Sequence, residues 1–400
     1  MSLPSLNNLD KSTWQRLPFG EIAQSIGERV DPTSTDLETY VGLEHIDPES
    51  IHIKRFGKRE DVSGQKLRCY PGDVIFGRRR AYQRKAAICE FDGFCSAHSL
   101  VLRAIPEVID PKLFPFFLHS DQFMHRAVDI SVGGLSPTIN WTKLKKEEFL
   151  FPPKNQQAIM AELLWAADEV VMRLNYALAT SKTTVASKLQ ELFGKSKSRR
   201  NESFDLKKLS ECVHVQTGVA KGKKPKNGEK FASHPYLRVA NVQDGYLNLD
   251  EIKEISLPEK DIEKYLLEDG DVVICEGGDF DKVGRGAIWR DHVSPCLHQN
   301  HVFCLRCDRS QILPEFLELQ IQSNYGKGYF LGCAKKTSNL ASINSTQVKD
   351  FPLQVADLER QQDIVDEFRL NHKVTTATNS QLKISTNLLK VLISQIFQPI

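Results

Sequence analysis

The sequence predicts an α+β chain built twice over: two tandem globular parts, each followed by a long helix, with the two helices pairing as a coiled coil. Three observations carry this prediction. The first half of the chain aligns with the second. Short apolar-alternating segments between Gly, Pro and Asp turns fill each globular part. Two long stretches free of interior Gly and Pro keep a seven-residue apolar period.

The repeat comes first. Phe19-Gly20-Glu21 faces Leu209-Ser210-Glu211, and Tyr40 to Ile46 faces Tyr236 to Val242 with matching apolar alternation. Gly72-Asp73-Val74-Ile75 faces Gly270-Asp271-Val272-Val273, and His98 to Arg103 faces His301 to Arg306. Pro111 to Ser120 faces Pro314 to Ser323, Ile139-Asn140 faces Ile343-Asn344, and Gln156-Gln157 faces Gln361-Gln362. The offset drifts upward in small steps from 190 to 205, as two copies of one fold show when they differ by loop insertions. The insertions fall mainly in 215–235 and 276–286. Matching frameworks with divergent loops suggest two modules doing one kind of job on two different targets.

Within each copy, Val74-Ile75-Phe76, Ser99 to Arg103 and Val302 to Arg306 read as strands, with a helix near 111–128. After the proline signals Phe151-Pro152-Pro153 and Phe351-Pro352 come the long helices, roughly 156–193 and 359–397. Leu164, Val171, Leu178, Val185 and Leu192 form the seam of the first; Phe368, Thr375, Leu382, Leu389 and Ile396 form that of the second. Some 37 residues make a rod of roughly 55 Å, longer than one domain needs for its own packing. Polar seam positions Ser181 and Lys188 fit a pairing that is antiparallel or shared with a partner protein.

Composition bounds the function. A chain of 400 residues favours two or three domains, and 40% hydrophobic with 26% charged residues excludes a wholly disordered or fibrous protein. No run of eighteen apolar residues occurs, and the start of the chain has neither a basic nor an apolar leader segment, so a non-exported, cytoplasmic protein is expected. Nine scattered cysteines fit free thiols in a reducing compartment. Net charge is only +2, from 53 basic and 51 acidic residues, so any nucleic-acid role must rest on local clustering.

Catalytic signatures are missing. Gly218 to Lys224 lacks the glycine spacing and closing Ser/Thr of a phosphate-binding loop, and neither a dinucleotide fingerprint nor a nucleophile elbow occurs. His298, His301, Cys304 and Cys307 suggest zinc, but Cys304 and Cys307 fall on a predicted strand, where residues three apart face opposite ways. Asp244 with Glu251 and Lys253 is too short a pattern to support a nuclease. The expectation is a chain with no catalytic site, no metal and no cofactor of its own.

Positive charge clusters in corresponding loops. Arg78, Arg79, Arg80, Arg84 and Lys85 surround Tyr82 with no acidic residue between them. The second half offers Lys221, Lys223, Lys224, Lys226 and Lys230, Arg285 in the 276–286 insertion, and Lys335-Lys336-Thr337-Ser338 before Ile343-Asn344. Arginine reads guanine edges bidentately while Lys, Ser and Thr hold phosphates, so such loops suit duplex DNA. In Gly133-Gly134-Leu135-Ser136-Pro137-Thr138-Ile139-Asn140-Trp141 the glycines permit close backbone approach, and Ser136 and Thr138 offer short hydrogen-bonding groups. Asn140 and Asn344 read equally as helix caps.

Together, Gly72-Asp73, the Gly133 to Trp141 loop, Phe151-Pro152-Pro153 with Gln156-Gln157, and the helix ending Leu189 to Gly194 resemble the specificity subunits of type I restriction-modification systems. The layout recurs as Gly270-Asp271, Ile343-Asn344, Phe351-Pro352, Gln361-Gln362 and Ile396-Phe397, and covers almost the whole chain. The resemblance implies two target recognition domains (1–154 and 195–356), two spacer helices (155–194 and 357–400) paired antiparallel, and a pseudo-twofold internal repeat. Each domain would read one half of a bipartite double-stranded DNA target. The helices would span roughly sixteen base pairs and set the unread gap. Two adenine-methyltransferase subunits and motor-nuclease restriction subunits are the implied partners, and S-adenosylmethionine, ATP and magnesium would belong to them. The second copy departs from the pattern, because Lys335 to Ser342 lacks the paired glycines. The recognition subunit of a type II system and a coiled-coil protein-binding scaffold remain as alternatives.

Overall fold

The computed structural model describes residues 11–194, 204–220, 230–337 and 340–398. Contacts divide the chain into two units: unit 1 is Met1–Tyr176 with Asn379–Ile400, and unit 2 is Ala177–Thr378. Each takes one globular part together with one end of each long helix.

The framework of unit 1 is an antiparallel sheet of β1 (Ala23–Ile26), β2 (Val74–Gly77), β3 (Ala86–Ile88) and β4 (Ser99–Ala104), in the order β1-β4-β2-β3. Unit 2 repeats it with β5 (Val213–Thr217), β6 (Val272–Cys275), β7 (Gly286–Ile288) and β8 (Val302–Cys307), in the order β5-β8-β6-β7. Central strands read as unbroken apolar runs because both faces are covered. Val74, Phe76, Leu100 and Leu102 enter one core, while Ile75 and Val101 enter another. Val272, Ile274, Phe303 and Leu305 divide from Val273, Cys275, Val302 and Cys304 in the same way. Strand alternation also separates the proposed zinc pair: Cys304 lies in one core, and Cys307 packs against the other.

The repeated Gly-Asp pair has a mechanical role. Gly72 and Gly270 have φ of 92° and 93°, the left-handed region that favours glycine. The turn delivers a buried carboxylate. Asp73 accepts from Tyr70 N at 3.0 Å and from Arg103 Nε and Nη2 at 2.7 and 3.0 Å. Asp271 accepts from Glu268 N at 2.8 Å and from Arg306 Nε and Nη2 at 2.9 and 2.8 Å.

The Gln-Gln pairs start the long helices α1 (Lys154–Phe193) and α2 (Leu358–Phe397). Gln157 is buried; its Oε1 accepts from Asp110 N at 2.6 Å, and its Nε2 donates to Val108 O and Pro152 O at 2.9 and 3.0 Å. Gln361 does the same with Leu313 N, Gln311 O and Ala356 O at 2.9, 2.9 and 2.8 Å. One primary amide thus satisfies three backbone groups that water cannot reach.

Within each unit the helices pack antiparallel. In unit 1, Met160, Ala161 and Leu164 near the start of α1 share a core with Leu392, Ile396 and Phe397 near the end of α2, and Leu389 packs on it. In unit 2, Leu189 and Phe193 near the end of α1, with Val185 and Leu192 beside them, share a core with Ile364, Val365 and Phe368 near the start of α2. Ser181 Oγ and Thr375 Oγ1 meet at 2.9 Å, and Lys188 pairs with Glu367. The polar seam positions therefore match each other. Leu178 is buried, and Val171 and Leu382 are half-buried, as the seven-residue period requires. No helix among the described residues is long and apolar enough to cross a membrane.

Candidate nucleic-acid interface

The arginine loop of unit 1 closes the β2–β3 hairpin, in which Val74 pairs with Ile88 and Phe76 with Ala86. A short 3-10 turn, Ala81–Gln83, lies between Arg80 and Arg84, whose φ values of 54° and 51° are both left-handed. Such backbone costs on the order of 1 kcal/mol per residue and persists where surrounding bonds over-determine it. Here they do. Arg80 N donates to Pro137 O at 2.9 Å, Ile139 N to Arg78 O at 2.9 Å, and Gln83 N to Arg80 O at 2.9 Å.

These bonds join two motifs that are far apart in sequence. Arg79 bridges antiparallel to Thr138, while Val132 and Thr138 exchange backbone bonds of 3.0 and 2.9 Å around the glycine loop. Gly133 has φ of 119°, Leu135 is fully exposed at the loop tip, and Thr138 Oγ1 donates to Ser136 O at 3.2 Å. Arg80 and Tyr82 are exposed; Arg78 and Arg79 are half-exposed. Arg79 Nη1 donates to His98 Nε2 at 3.0 Å. Burial, then Arg79 and Arg78, hold the His98 pKa below its ordinary value, which keeps that lone pair available.

Two of the candidate cations turn inward instead. Arg84 donates to Asp121 Oδ1 at 2.9 Å and His119 O at 2.6 Å, and its Nε lies 3.7 Å from Glu49 Oε1. Lys85 Nζ donates to Leu43 O at 2.5 Å. Both brace the base of the loop.

In unit 2, Gly277–Gly278, Ala341–Ser342 and Lys335–Lys336 form a three-stranded ribbon at the corresponding place. Lys335, Lys336 and Thr337 are exposed, and Thr337 N donates to Leu340 O at 2.8 Å to close the turn. Arg285 is half-buried, with Nη2 donating to Val239 O at 3.2 Å. Lys221, Lys223, Lys224 and Lys226 lie outside the described residues, as does Ser338, whereas Lys230 is exposed. Asn140 and Asn344 cap the helices that follow, accepting from Thr142 N at 3.0 Å and Gln347 N at 2.9 Å. Two residues outside the DNA-contact set, His98 and His301, stand at the root of the ribbons. The repeat alignment pairs them, but only the fold brings them beside the loops.

Beneath the arginine loop, His119 is buried, with Nε2 donating to Ala86 O at 2.7 Å. Burial pushes its pKa down to about 4. A depressed histidine pKa means that the unfolded chain takes up a proton near pH 6.5 that the folded chain refuses until about pH 4. Unit 1 therefore loses up to roughly 3 kcal/mol as pH falls through that window. Thermal melting across the window tests this, and His119→Gln, which offers an amide N–H in place of the ring N–H and does not titrate, is expected to flatten the slope.

No protein-family model matches the chain. It is 23% identical over 375 residues to the "Type I restriction enzyme EcoKI specificity subunit" of Escherichia coli K12, covering 88% of this chain and 75% of that one. It is 25% identical over 335 residues to the StySPI specificity subunit of Salmonella potsdam, covering 80% and 67%. Among solved structures, the type I restriction-modification S subunit from M. genitalium is similar in fold over 98% of each chain, with a TM-score of 0.62 at 15% identity. A chain from a structure on complex assembly and conformational transition of a type I system matches with a TM-score of 0.58 at 18% identity, covering 96% of this chain and 97% of its own. Repeated motifs, duplicated fold and these relatives agree: the chain is similar in sequence and in fold to type I restriction-modification specificity subunits.

Proposed function

We propose that this chain is the non-catalytic, sequence-specific DNA-binding subunit of a type I restriction-modification complex, reading a bipartite target with its two units. One observation carries the proposal: in each unit the same framework presents a cationic, backbone-laced ribbon formed from two distant loops. Guanidinium and ammonium groups on a narrow projecting ribbon suit phosphates and base edges of a duplex. Arg78, Arg79, Arg80, Tyr82, Ser136 and Thr138 form the proposed contact set in unit 1, with Lys335, Lys336 and Thr337 in unit 2. Arg84, Lys85 and Arg285 support their loops from behind. Lys221, Lys223, Lys224 and Lys226 belong to the proposed set on sequence grounds alone.

Two methyltransferase subunits and the restriction subunits are the proposed partners. S-adenosylmethionine, ATP and magnesium would sit on them, and this chain would supply recognition and no reacting group. Its proposed place is the cytoplasm. A single-molecule map of methylated bases in the host, with the gene intact and deleted, tests the proposal. Loss of adenine methylation at one split motif is expected on deletion. An unchanged map in a host that expresses the system would overturn it in favour of a protein-binding scaffold.

A further inference from the structure

The two units carry the same ribbon with its charge rearranged. Arg78 N donates to His98 O at 3.2 Å, and Arg78 O accepts from Ile139 N at 2.9 Å. Glu276 N donates to His301 O at 2.9 Å, and Glu276 O accepts from Ile343 N at 2.8 Å. Arg78 and Glu276 therefore occupy one framework position. Beyond it, Arg79 and Arg80 in unit 1 correspond to Gly277 and Gly278 in unit 2. On the facing limb the change is reversed: Val132 pairs with Thr138 where Lys335 pairs with Ser342, so an apolar residue stands where unit 2 has a cation. A small residue lies opposite a long cation in both units, which avoids packing like charges directly across a ribbon.

The carboxylate is the exception in an otherwise cationic ribbon. Glu276 cannot serve a phosphate, because like charge repels it. It is held by His301, which pairs with its carboxylate, just as His98 accepts from Arg79 at 3.0 Å. Imidazole suits both duties, since its ring offers an acceptor to a guanidinium and an N–H to a carboxylate. Glu276 is half-buried, while His301 is 55% exposed, so the pair stands at the surface beside the exposed Lys335 and Lys336.

We propose that Glu276, positioned by His301, is a specificity-determining residue of unit 2 and accepts from the exocyclic amino group of a cytosine. Arg79, positioned by His98, takes the acceptor edge of a guanine in unit 1. The assignment rests on the DNA-reading function proposed above. In the major groove cytosine presents only an amino donor, which an acceptor-only carboxylate matches; guanine presents two acceptors, which a donor-only guanidinium matches.

The test uses the intact complex, with chromosomal variants read by single-molecule methylation mapping. Glu276→Gln and Glu276→Ala are expected to relax one C·G position in one half of the split motif, with a ten- to hundredfold loss of discrimination there. Arg79→Ala relaxes one position in the other half. His301→Ala relaxes the Glu276 position more weakly, and His301→Gln, which restores an N–H donor, recovers part of it. Unaltered discrimination at every position in the Glu276 variants overturns the assignment and leaves a surface ion pair. If Glu276→Ala abolishes methylation outright, purified complex is titrated with duplexes carrying each base at each position. A flattened preference at one C·G position supports the proposal, and preferences identical to the parent's overturn it. Wild-type complex that marks no split motif overturns the DNA-reading function and this assignment together.

Discussion

Replacing Arg78, Arg79 and Arg80 together with glutamate is expected to abolish modification of the DNA target while the chain still assembles with its methyltransferase. The substitution converts three cations at a projecting ribbon into three anions. Each lost base or phosphate contact weakens binding, and each new carboxylate repels the duplex; at 1–3 kcal/mol for one good bidentate pair, affinity falls by at least about a hundredfold. Salt dependence is the second readout, since fewer neutralised phosphates give a shallower slope of log K against log salt. Folding is expected to survive, because the loop is held by backbone bonds: Arg80 N to Pro137 O, Ile139 N to Arg78 O and Gln83 N to Arg80 O. Co-purification of the methyltransferase with the variant checks the division of labour. Loss of assembly alongside loss of modification would refute it.

The largest stability effect is expected at the buried aspartates. Asp271→Ala removes the acceptor of Glu268 N and of both Arg306 nitrogens, at a side chain only 2% exposed. Deleting the buried acceptor leaves Glu268 N unpaired and a partly exposed guanidinium short of two bonds, at a cost of about 3 kcal/mol. For a unit of this size the melting temperature falls by roughly 10 °C. Asp73→Ala is expected to do the same in unit 1, where Tyr70 N and Arg103 lose their acceptor. Replacing both partners, Asp271→Leu with Arg306→Met, is expected to recover much of the loss, because apolar groups leave no uncompensated charge. A change below about 1 kcal/mol in Asp271→Ala would show that the pair is not what holds the turn.

Much of this is legible in the sequence, and for identifiable reasons. Leu164, Leu178, Phe368 and Ile396 recur at a period that only a packed helix seam produces, and the structure buries all four. The Gly-Asp repeat was visible as a repeat, although its work was hidden: φ near 92° and a carboxylate turned onto Arg103 are tertiary facts. Gln157 and Gln361 behaved similarly, since nothing local reveals that one amide will satisfy three backbone groups.

At the candidate interface the limits were sharper. Charge density marked Arg78 to Lys85 as one patch, yet Arg84 and Lys85 turn inward to Asp121 and Leu43 O, because a left-handed residue at 84 redirects the chain. Glu276 carries no local signal, and His98 and His301 stand out only as a repeated pair, with His301 read toward zinc rather than toward the ribbon.

The sequence by itself determined the repeat, the central strands at 74–76, 99–103 and 302–306, the two long helices and their seam, since these follow from periodicity and turn chemistry along the chain. Periodicity alone leaves antiparallel pairing as one of two options; Ser181 meeting Thr375, and Lys188 meeting Glu367, decide it. Tertiary structure alone decided which loops join and which cations face outward. Those outcomes depend on backbone pairing between residues some sixty positions apart, such as Arg79 with Thr138, and local sequence pattern carries no term for such a distance.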